Sequence, residues 1–357
     1  AAIQEVVGHF GATGELKRGP LTLALEEAQR ARTTLAFPGK ITADAARGRL
    51  VITDSNHHRA LLVGADGAIL ERIGSGASGF ADGPFEKATF HHPQGVALAG
   101  EVLYIADTEN HAIRAANLRT RQVTTVLGTG RQARQQNVPG RGTSLELNSP
   151  WDLLAHGGKL YIAMAGAHQL WVADMAAWEA RPFAGSGREG RIDGPLASAA
   201  LAQPSGLTTD GRRIYFADSE SSSVRWADLG NPGQVGTLIG EDLFEFGDRD
   251  GTRPRARLQH PLGVAFHDGL IYVADTYNSK IKIIDPARGA SVTFAGTGKH
   301  GVQDGKLADA TFNEPGGLAF LNGQLYIADT NNHLIRVLDP ASRQVRTLEL
   351  KPPEAAH

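Results

Sequence analysis

The sequence contains no cysteine. Disulfide cross-links, thiolate zinc sites and a cysteine nucleophile are therefore excluded on this polypeptide, and thiol redox chemistry with them. No stretch approaches the roughly 18 continuous apolar residues of a membrane-spanning helix, so no membrane partner is expected. Residues 1–30 lack the basic, apolar, small-residue order of a secretory signal. The expected compartment is the cytoplasm, with a secreted or periplasmic location left open. An excess of either charge is also missing: 36 Lys and Arg stand against 38 Asp and Glu. No global basic field recruits nucleic acid. The small basic clusters at 131–134 and 249–257 carry no interleaved aromatics and read as solvated loop.

What the chain has in quantity is turn-forming residues, 43 Gly and 17 Pro, and they are periodic. A proline opens each of six similar segments: Pro38, Pro93, Pro150, Pro204, Pro261 and Pro315. The spacings are 55, 57, 54, 57 and 54 residues. After each proline come an apolar run, a second strand such as Leu103-Tyr104-Ile105-Ala106-Asp107, a polar loop, two further strands and a Gly-rich exit. A long repeat made of short strands predicts four-stranded sheets arranged around an axis. The fold class is therefore all-β, a six-bladed β-propeller over residues 37–350 with a short non-repeat segment before it. In the second copy the strands are placed at 95–99, 102–107, 112–116 and 123–127. The sixth copy ends with its own fourth strand at 345–350, and the first is complete, so ring closure does not require strands from both chain ends. Residues 1–36 are expected to be a linker or the tail of an upstream domain, with a helix over 21–32 presenting Leu21, Leu25 and Ala28 on one face. Residues 3–7 are a candidate extra edge strand, and residues 351–357 are expected to fray.

The loop after the second strand begins with Asp in five copies: Asp54, Asp107, Asp218, Asp275 and Asp329. A basic residue follows at Arg114, Arg225, Lys282 and Arg336. Because a catalytic residue is normally needed once, the recurrence reads as a structural ring of Asp–Arg pairs between blades. Three exits match Gly-x-Gly-x-x-Gly, starting at Gly74, Gly185 and Gly296. A dinucleotide site needs a helix after the third glycine. Here an Asp-Gly turn follows instead, at Asp82, Asp193 and Asp304, so these are read as blade-to-blade crossings.

Candidate ligand contacts come from the fold. The residue before each proline should stand near the mouth of the central channel: Phe37, His92, Ser149, Gln203, His260 and Glu314. His92, His260 and Glu314 could form a metal set for a hydrolase or lyase. His92 and His260 lie three blades apart, however, so a shared ion would need a narrow pore. The third copy departs from the rest. Its loop, Met164-Ala165-Gly166-Ala167-His168-Gln169, lacks the acid, and Trp151, Asp152 and Trp171 are unique to it. The candidate ligand-binding set is thus His92, Trp151, Asp152, Gln203, His260, Glu314 and His168, with no catalytic residue, no cofactor, and a divalent metal as the alternative.

The copies resemble NHL repeats, as in Leu325-Tyr326-Ile327-Ala328-Asp329-Thr330-Asn331-Asn332-His333-Leu334-Ile335-Arg336. More narrowly, Phe37-Pro38-Gly39-Lys40, Ser149-Pro150-Trp151-Asp152-Leu153, Gln259-His260-Pro261-Leu262-Gly263-Val264 and Phe312-Asn313-Glu314-Pro315-Gly316-Gly317 are similar to the thioredoxin-fused NHL family, odd third copy included. The resemblance implies a six-bladed propeller preceded, in family members, by a thioredoxin-like domain. It implies a recognition or scaffold module, with thiol chemistry residing in that other domain. The partner is then expected to be a protein or small ligand, nucleic acid is not expected apart from the RNA binding of some NHL proteins, and the chain is expected to be monomeric.

Overall fold

The computed structural model describes residues 2–15 and 33–351. The helix placed at 21–32 lies outside the described residues. The chain divides into two compact units, Ala1–Thr33 and Thr34–His357. In the first, residues 3–7 form no edge strand. They belong to a helix, Ala2–Ala12, whose apolar residues Ile3, Val6, Val7 and Phe10 recur at helical spacing and are exposed.

The second unit is the propeller. Six antiparallel sheets each take four consecutive strands, the first using Pro38–Asp44, Arg49–Asp54, Arg59–Gly64 and Ile69–Ile73. In the second blade the strands are Val96–Ala99, Val102–Asp107, Ala112–Asn117 and Gln122–Leu127, each within a residue of its expected bounds. The last strand of the sixth blade is Gln344–Leu348, ending before residue 350. Each later blade gains a two-residue outer strand from the crossing before it, as Gly83–Pro84 does for the second. In the first blade Lys351 takes an outer position, pairing in parallel with Ala68. The sequence anticipated complete first and sixth blades but not this tail contact.

The second strand of each blade is mostly apolar on both faces because each blade is sandwiched between two others. Leu103, Ile105 and Ala106 have no exposure, and Leu50, Val51 and Ile52 repeat the pattern. The apolar clusters lie across blade boundaries: Val51, Ala60 and Ile73 of the first blade pack with Leu103 and Ile105 of the second. Phe85, Ala88 and Phe90, from the crossing that joins them, complete that layer.

The recurrent Asp and Arg do not pair between blades. Asp107 and Arg114 stand on neighbouring strands of one sheet, 2.7 Å apart and fully buried. Arg114 also reaches back to the crossing, to Asp82 Oδ1 at 2.7 Å and the carbonyls of Ala81 and Thr89 at 2.8 and 2.9 Å. Its guanidinium lies 4.9 Å from the centroid of Phe80. One buried cation thus clamps the linking segment onto its blade. Arg225 with Asp218 and Asp193, and Arg336 with Asp329 and Asp304, repeat the clamp. Lys282 performs it with Asp248 and Asp250. At the same position the first blade has Leu61 and the third has Trp171.

Candidate functional site

The six turns leading into the innermost strands share one unusual backbone. Phe37, His92, Ser149, Gln203, His260 and Glu314 all have φ between 47° and 58°. A non-glycine residue rarely adopts this region, and still less before proline. The conformation persists because both neighbours hold it. The buried Asp of the same blade accepts the N–H of the residue one earlier, as Asp107 Oδ1 does from His91 at 2.7 Å. The N–H of the strained residue itself is bonded by the preceding blade: His92 donates to His58 Nδ1 at 3.2 Å, Ser149 to His111 Nδ1 at 3.0 Å, Phe37 to His333 Nδ1 at 3.1 Å and His260 to Ser222 Oγ at 3.1 Å. Those acceptors end short 3₁₀ turns and are themselves left-handed, at φ 49°, 48°, 59° and 47°. A hydroxyl adds a second tie, Thr108 Oγ1 to Pro150 O at 2.8 Å and Ser55 Oγ to Pro93 O at 2.7 Å.

The third blade lacks this joint. Ala165 replaces the hydroxyl residue, and His168 Nδ1 is buried without a hydrogen-bond partner. Met164 and Trp171, in the Asp and Arg positions, are buried apolar filling, the indole N–H donating to Gln169 Oε1 at 3.0 Å. The departures that marked this copy in the sequence are therefore first a matter of packing.

What replaces the missing tie lies on the axis. Two residues after each proline stand Lys40, Gly95, Asp152, Gly206, Gly263 and Gly317. The glycines let inner strands touch: a Cβ on Gly95 would fall 2.7 Å from Trp151 O, and one on Gly206 or Gly263 2.6 Å from a carbonyl of the next blade. Only the first and third blades place side chains there, a cation and an anion. Asp152 Oδ2 accepts the N–H of Leu207 in the fourth blade at 2.9 Å. Lys40 Nζ donates to Leu262 O of the fifth blade and, at 2.9 Å, to Gly316 O of the sixth. Burial pushes the Asp152 carboxyl up to about 6, with Lys40 pulling the other way. Burial likewise lowers Lys40 to about 8, against the attraction of Asp152. From the first and third blades, the two residues reach the fourth, fifth and sixth across the centre. Lys40 was not among the sequence candidates, although its column is glycine in four of six copies, a signal that was available.

The plug divides the channel. On one side is a cavity of about 240 Å³ lined by Phe37, Asn56, Gln94, Trp151 and Thr330. On the other is one of about 410 Å³ whose wall includes Leu98, Leu154, Phe266, His267 and Phe320. Lys40 borders both.

The expected residues are dispersed over the first face. His92 bonds Asn56 Oδ1 at 2.8 Å and packs edge-on to His58. His260 stacks on Tyr277 at 4.4 Å and borders a groove with Phe244 and Phe246. Burial lowers the His260 pKa, opposed by Glu220 and Glu314. Trp151 is half-buried at the mouth, Glu314 half-buried, Gln203 exposed and Asp152 sunk below at 8% exposure. Among the described residues no group of three His, Asp or Glu side chains is assembled in a way that could hold a metal ion. The Asp-Gly turns have other work: Asp82, Asp193 and Asp304 each accept from an Arg and from a Thr.

The architecture is that of a six-bladed β-propeller. It is shared with solved structures, among them a structural-genomics protein of unknown function from Bacteroides thetaiotaomicron (TM-score 0.57, 18% identity, 84% of this chain and 69% of that one). The NHL repeat model matches residues 90–115, 258–284 and 312–338, and the chain is an NHL-repeat propeller. It is 40% identical to human NHL repeat-containing protein 2 over 94% of its length, and 43% identical to the Arabidopsis thaliana chloroplastic protein SUPPRESSOR OF QUENCHING 1 over 96%. It spans 51% and 34% of those two proteins.

Proposed function

We propose that this propeller is a non-catalytic recognition module that binds a protein or small ligand on the face where the inner strands begin. One observation carries the reading. Six positions share one locked backbone yet carry Phe37, His92, Ser149, Gln203, His260 and Glu314, six different side chains. A scaffold that fixes direction and varies chemistry suits selective contact. The central plug supports it, since Lys40 and Asp152 bond backbone groups of other blades and attract each other electrostatically. In a longer protein like the relatives, any thiol chemistry belongs to another segment, and the ring supplies selection.

Photo-cross-linking tests this. A photoreactive residue at Ser149 or Gln203 should trap one discrete species, and one at Val292 on the outer edge should not. Equal trapping from both places, or divalent-metal-dependent turnover of a lactone or ester abolished by His92→Ala and His260→Ala, would replace this reading with the hydrolase or lyase.

A further inference from the structure

The groove beside His260 is unlike the rest of the face. Phe244 is 86% exposed, Phe246 58% and Tyr277 50%, and all three border one depression of about 460 Å³. Three aromatic side chains left in water at one place mark a surface that another molecule covers. Its charge is of one sign. Glu189 and Glu220 border it, and among the described residues no Lys or Arg does. Glu314 also acts on both rings, since it and Glu220 oppose the burial that lowers His260 and reinforce the burial that raises Tyr277. The rings are pre-set, His260 and Tyr277 lying stacked at 14°. Arg257, nearby in sequence, is engaged with Glu245 at 2.6 Å.

We infer that this groove docks a basic peptide segment of a partner, an Arg or Lys side chain lying against Tyr277 and Phe244 with its charge facing Glu220. Aromatic faces attract cations, the carboxylates supply long-range pull, and the side chain's methylenes cover the phenyl rings. The inference rests on the recognition reading and names the chemistry of its partner.

Fluorescence anisotropy of the full chain tests it with a labelled octapeptide alternating Leu and Arg. Controls are the same peptide with Glu, and with norleucine, in place of Arg. Saturable binding of the Arg peptide alone is expected, about tenfold weaker in Tyr277→Ala and about threefold weaker in Glu220→Gln. Val292→Ala should leave it unchanged. Binding that follows leucine content and ignores charge would overturn the inference, as would Phe244→Ser turning a dimer into a monomer without weakening the peptide. If Ser149 cross-links a partner whose capture ignores Tyr277→Ala, the groove inference falls while the recognition reading stands. If no position on the face captures anything and no peptide binds, both fall.

Discussion

Replacing Lys40 by Met removes the cation whose attraction opposes burial at Asp152 and leaves its carboxyl in a site already unfavourable for charge. The cost has two parts. Leu262 O and Gly316 O lose their donor, at about 1 kcal/mol each. Asp152 must then stay buried without its counter-charge or take up a proton, and breaking one side of a buried pair costs roughly 3–5 kcal/mol. A total of about 5–7 kcal/mol near pH 7, where Lys40 is charged, is expected in urea unfolding followed by tryptophan fluorescence, with Trp151 beside the site as reporter. The sign of the pH dependence follows from the carboxyl. Its folded pKa, about 6 in the native chain and higher in the variant, lies above the ordinary carboxylate value. The folded state therefore holds a proton that the unfolded state releases, and the variant's deficit shrinks as pH falls towards 5. Lys40→Met with Asp152→Asn should cost less than the sum of the two single changes, by at least about 1 kcal/mol. A strictly additive double variant, or a Lys40→Met deficit that does not change with pH, would refute the idea of a coupled axial pair.

Other outcomes follow from the joints. Arg225→Met should destabilise by about 3–5 kcal/mol, and Arg225→Lys by clearly less, because Lys282 fills the same position in the fifth blade; equal losses in chemical denaturation would contradict this. His111 accepts the Ser149 N–H at Nδ1 and is held neutral by burial, which lowers its pKa, with Glu109 opposing. That contribution is complete above the unfolded value of about 6.5 and is lost as pH falls through the folded one. His111→Asn keeps an acceptor and tolerates positive φ, so thermal melts should show its stability relative to the native chain improving from pH 8 to pH 5. Gly206→Ala should cost about 3 kcal/mol or more, since its Cβ would meet Leu262 O at 2.6 Å, whereas Gly230→Ala, with open space, should be near neutral.

The six prolines were sufficient to state the blade number, the strand order and the completeness of the first blade, because a repeat averages out local ambiguity. Residues 3–7 failed as a strand because they lie outside the repeat, where Ile3, Val6, Val7 and Phe10 obey helical spacing. The Asp–Arg motif was correctly read as structural, but its partners were misplaced. Asp82 is 32 residues from Arg114, and nothing in a linear pattern says that a crossing folds back on the blade it precedes. The third copy drew attention for its missing acid, while the residues that compensate, Lys40 and Asp152, lie in two different copies. Only a ring brings them together. The groove at Phe244 was invisible for a simpler reason: exposure is a property of surroundings, and an aromatic in a variable loop looks the same in sequence whether covered or bare.

The first blade's Leu61, where four other blades carry a clamping cation, has a mechanical consequence. No described crossing segment spans the seam between the sixth blade and the first. That seam is held by an apolar layer of Ile52, Leu61, Tyr326 and Ile335, by Thr330 Oγ1 on Pro38 O at 2.9 Å, and by Lys351, whose N–H reaches Gly67 O at 2.9 Å and whose carbonyl accepts the Ile69 N–H at 3.0 Å. The toroid thus behaves as a clasped bracelet. Under load or in dilute denaturant it parts first at residues 348–351, and amide deuteration should begin there while the seams bridged by crossing segments are still shut.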